Sequence, residues 1–216
     1  MDNGVDTAYF DPDLDASLAP SPGEIPLVFT GAMDYWPNVD AVTWFATEVL
    51  PRLRERWPPL RFHIVGRAPT AAVSALAADP GVVVSGTVPD VRPYLQHAAV
   101  VVAPLRLARG VQNKILEAMA MGRPVVAATA CAAALNAEPG REILDAADAD
   151  DYLRCIEMLL QAPDRARAIG TAGRLRVQKS YTWAAHMNII DRHLTALRPA
   201  ESDAAAVRAL NRSPAA

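Results

Sequence analysis

The sequence predicts an α/β fold, a Rossmann-like doubly wound parallel sheet with helices on both faces. Three observations predict it. Short apolar runs rich in β-branched residues recur at residues 25–31, 60–66, 82–84, 99–104 and 124–127, and near-continuous apolarity marks strands covered on both faces. The segments between them carry apolar residues at helical spacing, and strand–helix alternation of this kind builds a parallel sheet. Hydrophobic residues make up 51% and charged residues 21% of 216 residues, a globular composition on a chain long enough for a substantial core.

Residues 1–24 are acidic, contain Pro12, Pro20 and Pro22, and lack apolar periodicity. They read as an extended lead-in or linker. Ile25-Pro26-Leu27-Val28-Phe29-Thr30 is a buried strand closed by Gly31. Pro37 suits a first helical turn, and Val39, Val42, Phe45, Ala46, Val49, Leu50 and Leu53 follow at helical spacing until Trp57-Pro58-Pro59 stops the helix. Residues 60–66 form a second strand ending in Gly66, and an Ala-rich helix spans about 70–78. Val82-Val83-Val84 is a third strand, and Val88-Pro89-Asp90 opens a short helical segment through Leu95. Residues 99–104 form a fourth strand, Val111 to Met121 a strong helix ended by Gly122, and residues 124–127 a fifth strand. Helices are predicted over 149–161, 163–179 and 182–197. The Ala/Ser/Pro-rich end after Pro199 reads as a flexible tail. The chain plan is therefore a linker or lead-in (1–24), an α/β unit (25–180), a C-terminal helix (181–198) and a tail (199–216).

Charge and cysteine usage exclude several functions. The net charge of −3 provides no basic field for nucleic acid or an anionic membrane. Cys131 and Cys155 lack metal spacing and read as small residues in a reducing compartment. No apolar run approaches the ~18–20 residues needed to span a bilayer, and Met1-Asp2-Asn3-Gly4 does not open a signal peptide. A cytoplasmic protein is expected. Among 21 basic residues only Lys114 and Lys179 are lysines.

Chemistry concentrates in residues 104–122, which leave a buried strand through a Gly-containing turn and enter a helix. Free N–H groups and the helix dipole at such a point favour an anion, usually phosphate. Arg109 and Lys114 add positive charge there. Glu117, one turn after Asn113 and Lys114, is placed to accept two vicinal ribose hydroxyls. The alternative is an amphipathic core helix in which Lys114 and Glu117 form a local ion pair.

Elsewhere, structural roles are expected. His63 lies in an apolar strand and reads as a satisfied core residue, while His97, His186 and His193 have no metal spacing. Asp34 either faces a cleft or caps the helix beginning near Pro37. Arg165, Arg167, Arg174 and Arg176 read as a solvated helix face, and Tyr181 and Trp183 as packing anchors of the last helix.

Residues 110–126, containing Leu116-Glu117-Ala118-Met119-Ala120, Gly122 and Pro124-Val125-Val126, resemble the donor-binding motif of GT-B glycosyltransferases, particularly glycosyltransferase family 4. Other segments match in order. Asn3-Gly4-Val5-Asp6 with Phe10 is similar to the link between the two GT-B domains. Residues 29–38 resemble the first strand and loop of the C-terminal domain. Residues 64–67 and 86–91 resemble its second strand and base-contacting loop. With Arg109-Gly110-Val111-Gln112-Asn113-Lys114, they look most like sugar transferases of exopolysaccharide loci in exosortase-bearing bacteria.

The resemblance covers about residues 3–195 and implies a retaining hexosyltransferase that binds a UDP- or GDP-sugar without metal or other cofactor. It implies that Glu117 holds the ribose hydroxyls, and that Lys114 with the N–H groups of Gly110, Val111, Gln112 and Asn113 holds the diphosphate. Gly31 lies in the first loop, and Arg67 and the backbone at Val88 flank the base. The family commonly places a second Glu near the transferred sugar, where this chain has Arg109. The family's usual Arg and Lys of the first loop are also absent from residues 32–38.

The resemblance further implies that residues 25–180 are the nucleotide-sugar-binding unit, that residues 181–198 form a helix crossing back to the other domain, and that the chain is a donor half whose N-terminal acceptor domain is a missing partner. Alone it is expected to be inactive and to form a weak homodimer through Met187, Ile190 and Leu194. A full-length parent is expected at the inner membrane surface. The competing functions are a non-catalytic binding or scaffold domain on the same fold and an epimerase fragment.

Overall fold

The computed structural model describes residues 3–13, 21–107, 110–182, 185 and 187. Six parallel strands form one sheet in the order β3-β2-β1-β4-β5-β6. They are β1 (Ile25–Thr30), β2 (Leu60–Val65), β3 (Val82–Gly86), β4 (Val100–Ala103), β5 (Val125–Ala128) and β6 (Leu144–Ala146). The doubly wound class read from the sequence is the fold observed. The chain builds outward through β2 and β3, then returns past β1 to start β4. This reversal leaves a crevice beyond the carboxyl ends of β1 and β4, the topological switch point.

The strands are nearly continuous apolar runs because both faces are covered. Leu27, Phe29, Phe62, Ile64, Val100, Val102 and Val126 are fully buried. The first predicted helix is α1 (Trp36–Trp44), a π turn (Phe45–Val49) and α2 (Leu50–Arg56). Pro51 lies within α2 and cannot donate a backbone hydrogen bond, so the wider turn preceding it relieves the ladder. Phe45 on this helix packs 4.7 Å from Phe62 and 6.0 Å from Tyr152, joining the first helical layer to the far end of the chain. Among the described residues the further α-helices are α3 (Ala71–Ala75), α4 (Arg92–His97), α5 (Asn113–Ala120), α6 (Thr129–Ala134), α7 (Ala149–Gln161) and α8 (Pro163–Ser180). Asp148 caps α7 by accepting from the backbone N of Asp151 at 2.9 Å.

Three features depart from the sequence reading. β6 and α6 are absent from it, because a three-residue strand with a central Asp145 gives no periodic signal. Helix α5 begins at Asn113 rather than Val111, because Gln112 remains extended (φ −106°, ψ 121°). Arg174 and Arg176 do not join Arg165 and Arg167 on a solvated face. Arg174 donates to the carbonyls of Phe10 (3.0 Å) and Ala120, and Arg176 to that of Asn136. Side chains long enough to snorkel toward carbonyls at helix and loop ends need no solvated face.

The lead-in is docked along residues 3–13. Val5 is buried and its N–H donates to Tyr181 at 2.8 Å, forming a bridge at Thr182. Arg92 lies 3.8 Å over the Tyr9 ring and donates to the Tyr9 carbonyl at 3.1 Å. Tyr181 packs as expected, its hydroxyl donating to the Leu135 carbonyl at 2.7 Å. Trp183, His186 and His193 lie outside the described residues, as do the crossing helix (apart from residues 181, 182, 185 and 187) and the tail.

Candidate functional site

A cavity of about 660 Å³ opens at the switch point. Thr30 and Gly31 at the end of β1 and Val65, Gly66 and Arg67 at the end of β2 form one side. Thr87, Val88 and Val91 between β3 and α4 form an apolar end. Val111, Gln112 and Asn113 lead into α5, which contributes Lys114 and Glu117, while Asn3 enters from the lead-in. The Asn3 side chain donates to the Val111 carbonyl at 3.0 Å, tying the lead-in to the loop that opens α5.

The backbone narrows at two glycines. A Cβ on Gly31 would stand 2.8 Å from Asn38 Nδ2 and 3.0 Å from Lys114 Nζ. Only a bare backbone admits both side chains there. Gly66 lies against the Gly31 carbonyl, so the ends of β1 and β2 touch at the cavity rim.

Lys114 is the electrostatic centre. Its Nζ donates to Asn38 Oδ1 at 2.5 Å and lies 4.2 Å from the centroid of the Phe29 ring. Burial pulls its pKa down from 10.5 to about 8, partly opposed by the charge of Glu117. Burial pushes the Glu117 carboxyl up, against the attraction of Lys114. The two are neighbours in the field but form no ion pair, so the local ion-pair alternative is not what the fold builds. Among the described residues Lys114 has no carboxylate partner within salt-bridge distance. Helix α5 begins beside it with no side-chain cap and no acidic residue in its first turn. A helix N-terminus and a partly desolvated ammonium therefore face one cavity with a carboxylate beside them, an arrangement for an anion joined to a neutral polyol.

Of the residues singled out from the sequence, Gly31, Arg67, Val88, Val111, Gln112, Asn113, Lys114 and Glu117 line this one cavity. Gly110 (φ +74°) forms the left-handed turn before the loop and is not among the lining residues. Arg109 lies outside the described residues. Asp34 does not cap α1, whose cap position is Tyr35 without a side-chain bond; Asp34 is exposed and lies 3.8 Å from Arg67. The reason is geometric, since the turn after β1 runs one residue further before the helix begins. His63 is satisfied by Glu24, as expected. Asp90 is held below the usual carboxylate range by its hydrogen bonds from Arg92. Among the described residues no three His, Cys, Asp or Glu side chains gather to hold a metal ion.

Asn38, Asn3, Thr30, Thr87 and Tyr35 also line the site and were not identified from sequence. Asn38 had a signal: it stands four residues before Val42 on the apolar spacing of the helix, and a polar side chain buried there, as the 5% exposure shows it to be, needs a specific partner.

A family model described as Glycosyl transferases group 1 matches residues 24–162. Among curated proteins none matches the sequence. Solved structures do. HepE of Anabaena in complex with UDP is 15% identical with a TM-score of 0.67, covering 90% of this chain and 56% of its own. The same protein in complex with UDP-glucose is 16% identical, with a TM-score of 0.63 and coverage of 90% and 56%. Sucrose-phosphate synthase of Thermosynechococcus elongatus is 22% identical, with a TM-score of 0.66 and coverage of 91% and 52%. The C-terminal domain of a glycosyl transferase group 1 family protein (LpcC) of Francisella tularensis is 17% identical with a TM-score of 0.60, and all of that domain is covered by 83% of this chain. The chain thus spans little more than half of HepE and of the synthase, and all of the isolated C-terminal domain.

Proposed function

The chain belongs to the group 1 glycosyl transferases, and from that premise we propose that its cavity binds the nucleotide diphosphate of an activated-sugar donor. One observation carries the reading: the Lys114 ammonium, partly buried at the uncapped start of α5, has among the described residues only neutral partners at contact distance. Retaining a buried cation without a counter-charge costs stability, and an incoming diphosphate supplies the missing charge. Lys114 and the N–H groups of residues 110–113 hold the diphosphate in this reading. Glu117 accepts the ribose hydroxyls. Val88 and Val91 offer the base an apolar wall, with Arg67 at its edge.

UDP is the first choice of nucleotide, supported by the UDP and UDP-glucose complexes of HepE, and GDP is the second. Donor binding needs no metal in this proposal, because Lys114 and the α5 dipole neutralise the phosphates. The finer assignment is a retaining hexosyltransferase of exopolysaccharide or other cell-surface glycan synthesis, working in the cytoplasm at the inner membrane face. It is supported by the motif resemblance of residues 110–126. Transfer itself is proposed to require an acceptor domain across the cavity, as a two-domain relative would supply, and the chain alone to be inactive. A weak dimer through the segment bearing exposed Met187 belongs to the same proposal. Nucleic acid has no part in it.

Calorimetric titration of the chain with UDP, GDP and ADP tests the reading. Saturable binding of at least one, lost in Lys114→Met, is expected. Absence of binding by all three overturns it.

A further inference from the structure

We infer that Asn38 is the positioning residue that aims the Lys114 ammonium at the diphosphate. The inference rests on the proposed donor site and adds a residue that neither the motif nor the family match singles out.

Asn38 lies on the buried side of α1 at 5% exposure, and both ends of its carboxamide are engaged. Nδ2 donates to the Ala32 carbonyl at 2.8 Å, while Oδ1 accepts from Lys114 Nζ at 2.5 Å. Chemistry fixes this orientation. An ammonium only donates and a carbonyl only accepts, so the amide cannot flip without losing both bonds. Its backbone N–H also donates to Tyr35 at 2.9 Å, closing the turn that follows β1. One side chain therefore ties the Gly31–Ala32 turn to a lysine 76 residues further along the chain.

A lysine has four side-chain torsions, and a free ammonium would withdraw toward water rather than stay on a cavity floor that lowers its pKa. Asn38 Oδ1 opposes that withdrawal. Because the acceptor is neutral, it holds the ammonium without consuming its charge. An aspartate there would hold Lys114 equally well but would cancel the charge that the diphosphate needs. The bare backbone of Gly31 is what lets the two side chains meet.

The test compares UDP and uridine binding to the full chain and to Asn38→Leu, Lys114→Met and the double variant. Asn38→Ser replaces the Leu variant if that protein does not fold. Asn38→Leu is expected to weaken UDP about tenfold, to change uridine affinity less than about twofold, and to add nothing in the Lys114→Met background. A pH titration of Lys114 in unliganded protein gives a second readout: the midpoint near 8 moves to lower pH when Oδ1 is removed. Equal losses for UDP and uridine, an undiminished loss in the Lys114→Met background, or an unmoved midpoint each overturn the role of Asn38 while leaving the donor site intact. If Lys114→Met itself leaves UDP affinity unchanged, the donor-site reading fails, and the role of Asn38 fails with it.

Discussion

The α-carbon of Gly66 faces the carbonyl oxygen of Gly31 so closely that a Cβ on Gly66 would stand 1.7 Å from it. No rotamer relieves that clash, because both partners are backbone. The ends of β1 and β2 can meet at the cavity rim only while Gly66 lacks a side chain. Gly66→Ala is therefore expected to lower stability by about 2–4 kcal/mol, and to weaken nucleotide binding by displacing the Gly31 turn. Urea unfolding and UDP titration on the same samples measure both effects. A variant of unchanged stability would mean that the two turns are not held together.

Lys114→Met should separate stability from function. At pH 7 the wild type holds a partly buried ammonium whose pKa has fallen to about 8, so the unfolded chain binds the proton more tightly than the folded one. The penalty is complete below about pH 8, fades as pH rises, and is gone above the unfolded value near 10.5. Removing the charge is thus expected to stabilise the unliganded protein by about 1–3 kcal/mol at pH 7, with Asn38 Oδ1 left unpaired as the opposing cost. The advantage should shrink toward pH 10. Denaturation of both proteins at pH 7 and 10 gives the comparison, and an advantage independent of pH would contradict the assigned cause.

Glu117→Ala is expected to weaken UDP binding by about 1.5–3 kcal/mol, because hydrogen bonds to a charged group are lost. The loss should largely disappear with the 2′,3′-dideoxy nucleotide, which lacks the hydroxyls assigned to this carboxylate. Calorimetry with both nucleotides decides it: equal losses would remove Glu117 from the ribose.

Chelation is expected to leave nucleotide binding unchanged if Lys114 and the start of α5 neutralise the phosphates as proposed. Titrating UDP in EDTA and again in magnesium checks this. A requirement for magnesium would reassign phosphate neutralisation from Lys114 to a metal ion.

Arg174 should matter to the lead-in. It donates to the Phe10 carbonyl at 3.0 Å, approaches Asp11 at 3.6 Å and also reaches the carbonyl of Ala120 at the end of α5. Arg174→Leu is expected to cost about 1–2 kcal/mol and to speed proteolytic cleavage within residues 3–13. Unchanged cleavage would show that the contacts of Asn3, Val5, Arg92 and Gln96 suffice to hold the segment.

The sequence by itself determined the sheet and the neighbourhood of the site. Five of the six strands are legible because a strand buried on both faces must be apolar throughout, as Val100-Val101-Val102 is. The site around α5 is legible because Gly110 and the Lys114–Glu117 spacing lie within one local segment, although the helix itself begins at Asn113 rather than Val111. Tertiary structure alone decided what depends on residues distant in the chain. Residue β6 Asp145 sits in a strand specified by pairing with Ala127, not by its own periodicity. Arg174 reads as solvated until Phe10 and Ala120 are brought against it. Asn38 belongs to the site only because β1 and β4 are adjacent, which places its carboxamide at Lys114. Periodicity reports which face of an element is buried; it carries no information about which distant polar atom will satisfy a buried carboxamide or ammonium, and that pairing exists only once the sheet order is set.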